Sequence, residues 1–392
     1  MKSIYFDNAA TTKVDSRVLE AMLPYLNDEF GNAGSIHSFG QNAQSAVDEA
    51  RNKIAEFFGA RKQEIIFTSG ATESNNLAIQ GVVNYFVSQK QKIHIITSKI
   101  EHPAVLETFA EMKKRGIEVD YVGVDENGVL KIAELKKKIK DNTVLISVMY
   151  ANNEVGSIQP VKEISELVKE ERSKRTKDNL PIYLHTDAVQ AVNYLPMNVE
   201  YLGVDLMTIS GHKIYAPKGI GALYIRGGVK IKPITFGGHQ EYGLRAGTNN
   251  VPGIVALAKA LEIISIEQKK EIQKLKSIKD KLIKELENFE NYKFNGIPEK
   301  QLPNILNISF LNAEGESILM LLDMDGIAIS TGSACSSGSL EPSHVLTAMG
   351  RPAEWAHGSV RVSLGRFNNE NEVLPFIKSL KIIIDKLRKM AP

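Results

Sequence analysis

The chain holds a single cysteine in 392 residues. One thiol excludes an intramolecular disulfide, a four-cysteine zinc site and an iron–sulfur centre held by this chain alone. It argues against a secreted, disulfide-stapled scaffold and points to a reducing compartment. Long hydrophobic runs are also missing: no apolar stretch approaches the ~20 residues of a membrane-spanning helix. The start, Met1 to Asp7, turns polar before a signal-peptide core could form. These absences predict a cytoplasmic protein with no membrane partner. Charge of one sign is lacking too. The 48 Lys and Arg against 46 Asp and Glu leave a net charge of +2, so composition offers no case for direct nucleic-acid binding.

Several common catalytic signatures are absent by inspection. No Gly-x-Gly-x-x-Gly follows a strand pattern; Gly219 and Gly221 begin one, but Tyr224 breaks it. There is no Gly-x-x-x-x-Gly-Lys-Ser/Thr, no His-Glu-x-x-His and no Gly-x-Ser-x-Gly. A dinucleotide-binding enzyme, a P-loop NTPase, a zincin and an α/β-hydrolase are therefore disfavoured.

What is present is alternation. Short Ile- and Val-rich runs at 65–67, 93–96, 144–148, 182–184, 206–209 and 222–225 end in small or polar residues. They read as buried strands of a mostly parallel sheet. Helical stretches at 71–86, 104–115 and 161–174 lie between them, which predicts an α/β layered fold. After Asn250 a long amphipathic stretch reaches about Asn288, with Ile272, Leu275, Ile278, Leu282 and Leu286 at helical spacing. Strand patterns at 305–310 and 360–364 and a last helix at about 370–389 follow. The expected organisation is a large domain over residues 16–261. Residues 1–15 with 262–392 form a smaller α+β domain that carries a cysteine loop at about 330–340.

Polar residues gather where the expected strands end, which is where open parallel sheets bind ligands. Thr68 to Glu73 joins a strand to a helix through small residues that let backbone N–H groups approach a phosphate, although an ordinary helix cap reads the same way. His102 follows the 93–96 run and could stack on a planar ring or move a proton; a capping histidine is the alternative. Asn153 follows the 144–148 run. Asp187 ends the next, with Gln190 three residues on, and a carboxylate there suits a ring nitrogen. Ser210, His212 and Lys213 follow the 206–209 run. A lysine directly after a buried strand, beside another basic group, is placed for Schiff-base chemistry. Cys335 sits in Gly332-Ser333-Ala334-Cys335-Ser336-Ser337-Gly338, a stretch with no apolar periodicity that reads as a mobile loop bearing a functional thiol.

The chain resembles the cysteine desulfurases, pyridoxal-phosphate-dependent enzymes of the class V aminotransferase group. The motifs that carry the resemblance are Tyr5 to Thr12, Thr68 to Asn76, Asn152 to Gly156, His185 to Gln190, Ser210 to Lys213, Gly332 to Cys335 and Ser359 to Phe367. They span almost the whole chain, in family order. The long cysteine loop resembles the subgroup with a flexible cysteine arm.

The resemblance implies a fold-type I homodimer with pyridoxal 5′-phosphate bound to Lys213. In that reading His102 stacks on the ring, Asp187 faces its nitrogen and Gln190 meets its phenolic oxygen, with Asn153 nearby. Ala71, Thr72, Ser210 and His212 hold the phosphate, and Thr248 reaches the phosphate of the other subunit's cofactor. Asn32 and Arg361 bind the carboxylate of L-cysteine. Lys213 moves the Cα proton, and Cys335 takes the sulfur as a persulfide for a sulfur-acceptor protein such as an iron–sulfur scaffold. No second cysteine could resolve that persulfide within the chain. Cys335 is also a possible transient ligand of a cluster assembled on such a scaffold; no other metal ligand is expected. A selenocysteine lyase or an aminotransferase of the same fold is the alternative, and a noncatalytic sulfur-carrier hub is another. Three departures from the family pattern stand out. Ala33-Gly34 replaces a proline after Asn32, Ala216 replaces a glycine near Lys213, and the sequence stops at Pro392 just after the last helix, which puts in doubt the docking mode in which a C-terminal tail helps hold an iron–sulfur scaffold.

Overall fold

The computed structural model describes residues 3–176, 179–331 and 342–390. Cys335 and its loop lie outside the described residues. The strands in chain order are β1 (Ile4–Tyr5), β2 (Ile65–Thr68), β3 (His94–Ser98), β4 (Glu118–Val122), β5 (Thr143–Ser147) and β6 (Tyr183–Asp187). β7 (Leu206–Ser210), β8 (Gly221–Ile225), β9 (Tyr292–Phe294), β10 (Ile305–Phe310), β11 (Ile327–Ala328) and β12 (Ser359–Ser363) complete them.

The central sheet has seven strands in the order β2-β8-β7-β6-β5-β3-β4. β8 alone runs against its neighbours β2 and β7; the pairs from β7 through to β4 are parallel. Residues of β2, β3, β5, β6, β7 and β8 are buried throughout, as a sheet covered by helices on both faces requires. This is the mostly parallel α/β architecture expected from the sequence. β4 is the exception: it is the edge strand, its burial rises from exposed Glu118 to buried Val122, and its mixed polar pattern hid it from the sequence reading.

Helices Ala71–Ser88, Pro103–Lys114 and Val161–Lys174 fall where their patterns placed them. The last of these ends as a solvated helix terminus, with Lys174 paired to Glu170 and Glu171. The long amphipathic stretch is one 36-residue helix, Val251–Leu286, so it crosses position 261 without a break. Asn250 caps it by accepting from Gly253 N–H, and Pro252 occupies its first turn. Leu275, Ile278, Leu282 and Leu286 form its buried stripe. Helix Ser38–Phe58 packs along it.

A second sheet, β12-β10-β9, is antiparallel. The N-terminal segment lies beside it: β1 pairs with β11, Asp7 bridges Ser363, and Phe6 packs edge-on against Phe376 with ring centres 5.5 Å apart. The N-terminal segment and the C-terminal third are thereby brought to the carboxyl ends of the central strands. Among the described residues no helix is long and apolar enough to cross a membrane.

Candidate active site

A cavity of about 520 Å³ opens at the carboxyl ends of β2, β5, β6 and β7. Ala71, Thr72, His102, Asn153, Asp187, Gln190, Ser210, His212, Lys213 and Arg361 all line it. They come from stretches up to 290 residues apart, Ala71 to Arg361, and chain topology alone brings them together.

One wall is the turn from β2 into helix Ala71–Ser88. Gly70 has φ 151° and ψ −176°, a conformation essentially reserved for glycine. A Cβ on Gly221 would stand 2.7 Å from Gly70 Cα, so β8 and the turn approach through two glycines. No side chain caps this helix, which leaves its first N–H groups directed at the cavity end. Ser210 and Thr72 add hydroxyl donors beside it. Glu73 turns back to accept from Ser69 N–H at 2.6 Å and pairs with Arg245 at 3.0 Å. Burial opposes its ionisation, but those partners outweigh it and its pKa falls.

Lys213 follows β7 through a short 3₁₀ turn. Its Nζ donates to the carbonyls of Ala9 and Ala10 at 2.7 and 2.6 Å. Gln190 Nε2 donates to the same Ala9 carbonyl at 3.0 Å. The N-terminal turn thus holds Lys213 Nζ at the cavity wall. His212 beside it is pushed down to about 4 by desolvation, then by the charges of Lys213 and Lys218, so it is neutral at pH 7.

Asp187 ends β6 and is buried. Asn75 donates to its Oδ2 at 2.7 Å and Val189 N–H to its Oδ1 at 3.0 Å, which fixes the carboxylate plane. His102 caps helix Pro103–Lys114, its Nδ1 accepting from Ala104 N–H at 3.1 Å. The capping reading of His102 therefore holds, and the same ring lines the cavity. With Nδ1 an acceptor, the neutral ring carries its proton on Nε2. Desolvation lowers the pKa of His102, against the attraction of Asp187.

Arg361, in the middle of β12, is only 3% exposed. Its Nη1 donates to Asn153 C=O at 2.9 Å and its Nη2 to Asp7 Oδ1 at 2.8 Å. Its Nε has no hydrogen-bond partner among the described residues. A buried guanidinium that lines a cavity has the charge and the planar donors that suit a carboxylate.

Two expected residues lie elsewhere. Asn32 is exposed and its Oδ1 accepts from Gly34 N–H at 2.9 Å. Thr248 is exposed and outside the lining. Among the described residues no cluster of three or more metal-ligating side chains occurs.

The sequence profile of the class-V aminotransferases matches residues 4–376. The cysteine desulfurase IscS of Dictyoglomus turgidum is 50% identical over 392 residues, all of this chain and 97% of the relative. A solved NifS-like protein superposes with a TM-score of 0.91 at 41% identity, covering 98% of this chain and 100% of that one. A second solved structure, SspA in complex with cysteine, gives a TM-score of 0.79 at 35% identity over 92% of this chain and 99% of its own. This chain belongs to the cysteine desulfurases of the class-V aminotransferase family.

The geometry adds residues that no strand-end pattern marked. Asp7, Ala9, Ala10 and Asn75 serve the site through contacts with Arg361, Lys213 and Asp187. The Tyr5–Thr12 motif was the available signal for the first three, and the Thr68–Asn76 motif for Asn75. Ala216, the departure from the desulfurase pattern, is fully buried and its N–H donates to Gly211 C=O at 3.1 Å, so it closes the turn that presents Lys213.

Proposed function

We propose that this protein uses pyridoxal 5′-phosphate to convert L-cysteine to L-alanine and leaves the sulfur as a persulfide on Cys335. The observation that carries the reading is one cavity walled by a lysine amine, a carboxylate fixed at a strand end and a buried arginine. An uncapped helix N-terminus with Ser210 and Thr72 suits a phosphate. Asp187 suits a protonated ring nitrogen, and the flat face of His102 suits a ring. The residues present fit the cofactor.

When bound, pyridoxal phosphate supplies a carbonyl for amines and a ring that withdraws electrons from the substrate. Lys213 Nζ would hold the cofactor, and the same amine is placed to take the proton from the substrate Cα. Asp187 would keep the ring nitrogen protonated and Gln190 would meet the phenolic oxygen, with Asn153 alongside, while His102 carries a proton at Nε2 for exchange with the thiol groups. Ala71, Thr72, Ser210 and His212 would hold the phosphate. Arg361 binds the substrate carboxylate together with Asn32. The Cys335 thiolate attacks the substrate sulfur: the S–S bond forms, the Cβ–S bond breaks, and its electron pair stays with the carbon fragment. Protonation of that fragment gives alanine, so cysteine and a protein thiol become alanine and a protein persulfide.

A homodimer follows from the same reading, with Thr248 serving the other subunit's phosphate. Phe30 and Phe39, 5.6 Å apart and 68% and 51% exposed, flank Asn32 and present an apolar face for a second copy to cover. The sulfur goes to an acceptor protein such as an iron–sulfur scaffold, and the work is cytoplasmic, where a lone thiol stays reduced. Holoenzyme mixed with L-cysteine and a reductant should release L-alanine and sulfide in equal amounts. Lys213→Ala should abolish both, and alanine release by that variant would refute the assignment.

A further inference from the structure

The described residues on either side of the cysteine loop are attached to one small patch of the cavity wall. On the near side, Arg361 N–H donates to Ser330 C=O at 2.6 Å and Ser330 N–H to Arg361 C=O at 3.2 Å. On the far side, Ser343 Oγ donates to Glu154 Oε2 at 2.5 Å while accepting from Val345 and Leu346 N–H. His344 Nε2 lies 3.0 Å from Glu101 C=O, next to His102. Glu154 follows Asn153, whose carbonyl receives Arg361 Nη1. The same arginine that suits the substrate carboxylate is therefore hydrogen-bonded to Ser330 on one flank and to Asn153, the residue before Glu154, on the other.

Glu154 is an expensive way to hold a serine. It is 3% exposed, its backbone is fixed by Asn152 Oδ1 and Asn307 Nδ2, and burial pushes its carboxyl up to about 7. Only the field of Arg361 and the Ser343 hydroxyl support its charge. Cys335 is five residues from Ser330 and eight from Ser343. Those tethers reach at most about 18 and 29 Å. A thiol tethered at both ends is confined to the overlap of the two reaches, and freeing either anchor lowers its effective concentration at the substrate.

We propose that Glu154, acting through Ser343, is a positioning residue for sulfur transfer: it sets where the Cys335 segment re-enters the fold relative to Arg361. The proposal rests on the desulfurase reading above. It assigns Glu154 no part in cofactor binding or in proton transfer at Cα.

The test uses cofactor-loaded full chain in single turnover with L-cysteine, following two signals. The cofactor absorbance change reports substrate binding and proton removal; persulfide on Cys335 reports sulfur transfer. Glu154→Ala and Ser343→Ala should each leave the first signal unchanged and slow the second by about tenfold, the scale of one charge-assisted hydrogen bond. The double variant should be no slower than either single, because both remove one contact. Glu154→Gln keeps an acceptor for Ser343 and should recover most of the rate. Undiminished persulfide formation in both alanine variants, or equal slowing of both signals, would overturn the proposal even if melting temperatures fall. Absence of persulfide in the unaltered holoenzyme would instead overturn the desulfurase reading, and this inference with it.

Discussion

Arg361 and Asp7, 354 positions apart, meet through a 2.8 Å hydrogen bond on the wall of the cavity. Asp7 fixes one side of the guanidinium, and Asn153 C=O fixes another at 2.9 Å. The remaining N–H groups are oriented before any ligand arrives. Asp7→Asn keeps the shape and removes the charge. Its KM for L-cysteine should rise about tenfold, with kcat within about twofold, because ground state and transition state share the carboxylate contact. Steady-state kinetics check this. A fall in kcat at constant KM would place Asp7 in the chemistry.

Asn75 is to Asp187 what Asp7 is to Arg361. Its Nδ2 holds Asp187 Oδ2 at 2.7 Å from the buried face of helix Ala71–Ser88. Asp187→Asn should lower kcat by about 100-fold or more, since it removes the charge opposite the ring nitrogen. Asn75→Ala should cost about tenfold through misorientation and leave cofactor content normal. Cofactor absorbance and kcat, measured on the same samples, separate the two effects.

The phosphate cradle predicts affinity rather than rate. Ser210→Ala removes one hydroxyl donor and should weaken cofactor affinity about tenfold, seen as faster loss of the visible band on dialysis. Gly70→Ala should be worse, because any side chain strains a φ of 151°. Retention of cofactor by Gly70→Ala at the unaltered level would contradict the cradle.

Two buried carboxyls set a pH dependence. Burial pushes Glu101 up to about 8, against hydrogen bonds from Ser98 and Met149, and Glu154 up to about 7. A carboxyl raised above its ordinary 4.5 binds protons more tightly when folded. Its stabilising effect is complete below that value and is lost as pH rises through the folded pKa. His185 and His212, held by burial at about 3 and about 4, act oppositely, but only up to their ordinary 6.5. From pH 6.5 to 8 the carboxyl effect dominates, and the melting temperature should fall. Glu101→Gln should flatten that fall, as thermal denaturation at stepped pH would show; an unchanged slope would contradict the burial of a titrating Glu101.

Much of the site was legible because the chemistry follows buried strands. Asp187, Lys213 and His102 stand three, four and six residues after the apolar runs at 182–184, 206–209 and 93–96, and such runs declare themselves by composition alone. The helix Ser38–Phe58 lies outside those runs: its buried face mixes Ala43, Ala46, Ala50 and Ala55 with Val47, Ile54 and Phe58, and no short apolar run marks it. β4 was hidden by its exposed edge. The Asp7–Arg361 and Glu154–Ser343 contacts were invisible for another reason. They join segments more than 180 residues apart, and nothing local in either partner encodes the other. The roles of Asn32 and Thr248 stay with the proposed dimer, since their own chain leaves both exposed.

Everything in the account converges on where the sulfur goes. Holoenzyme should be given sulfur-labelled L-cysteine for one turnover without reductant, and its peptides analysed by mass spectrometry. The account predicts label on Cys335 as a persulfide, in amount equal to the alanine formed, and neither product in Cys335→Ser. Alanine released by Cys335→Ser at the unaltered rate, or alanine without label on Cys335, would contradict it.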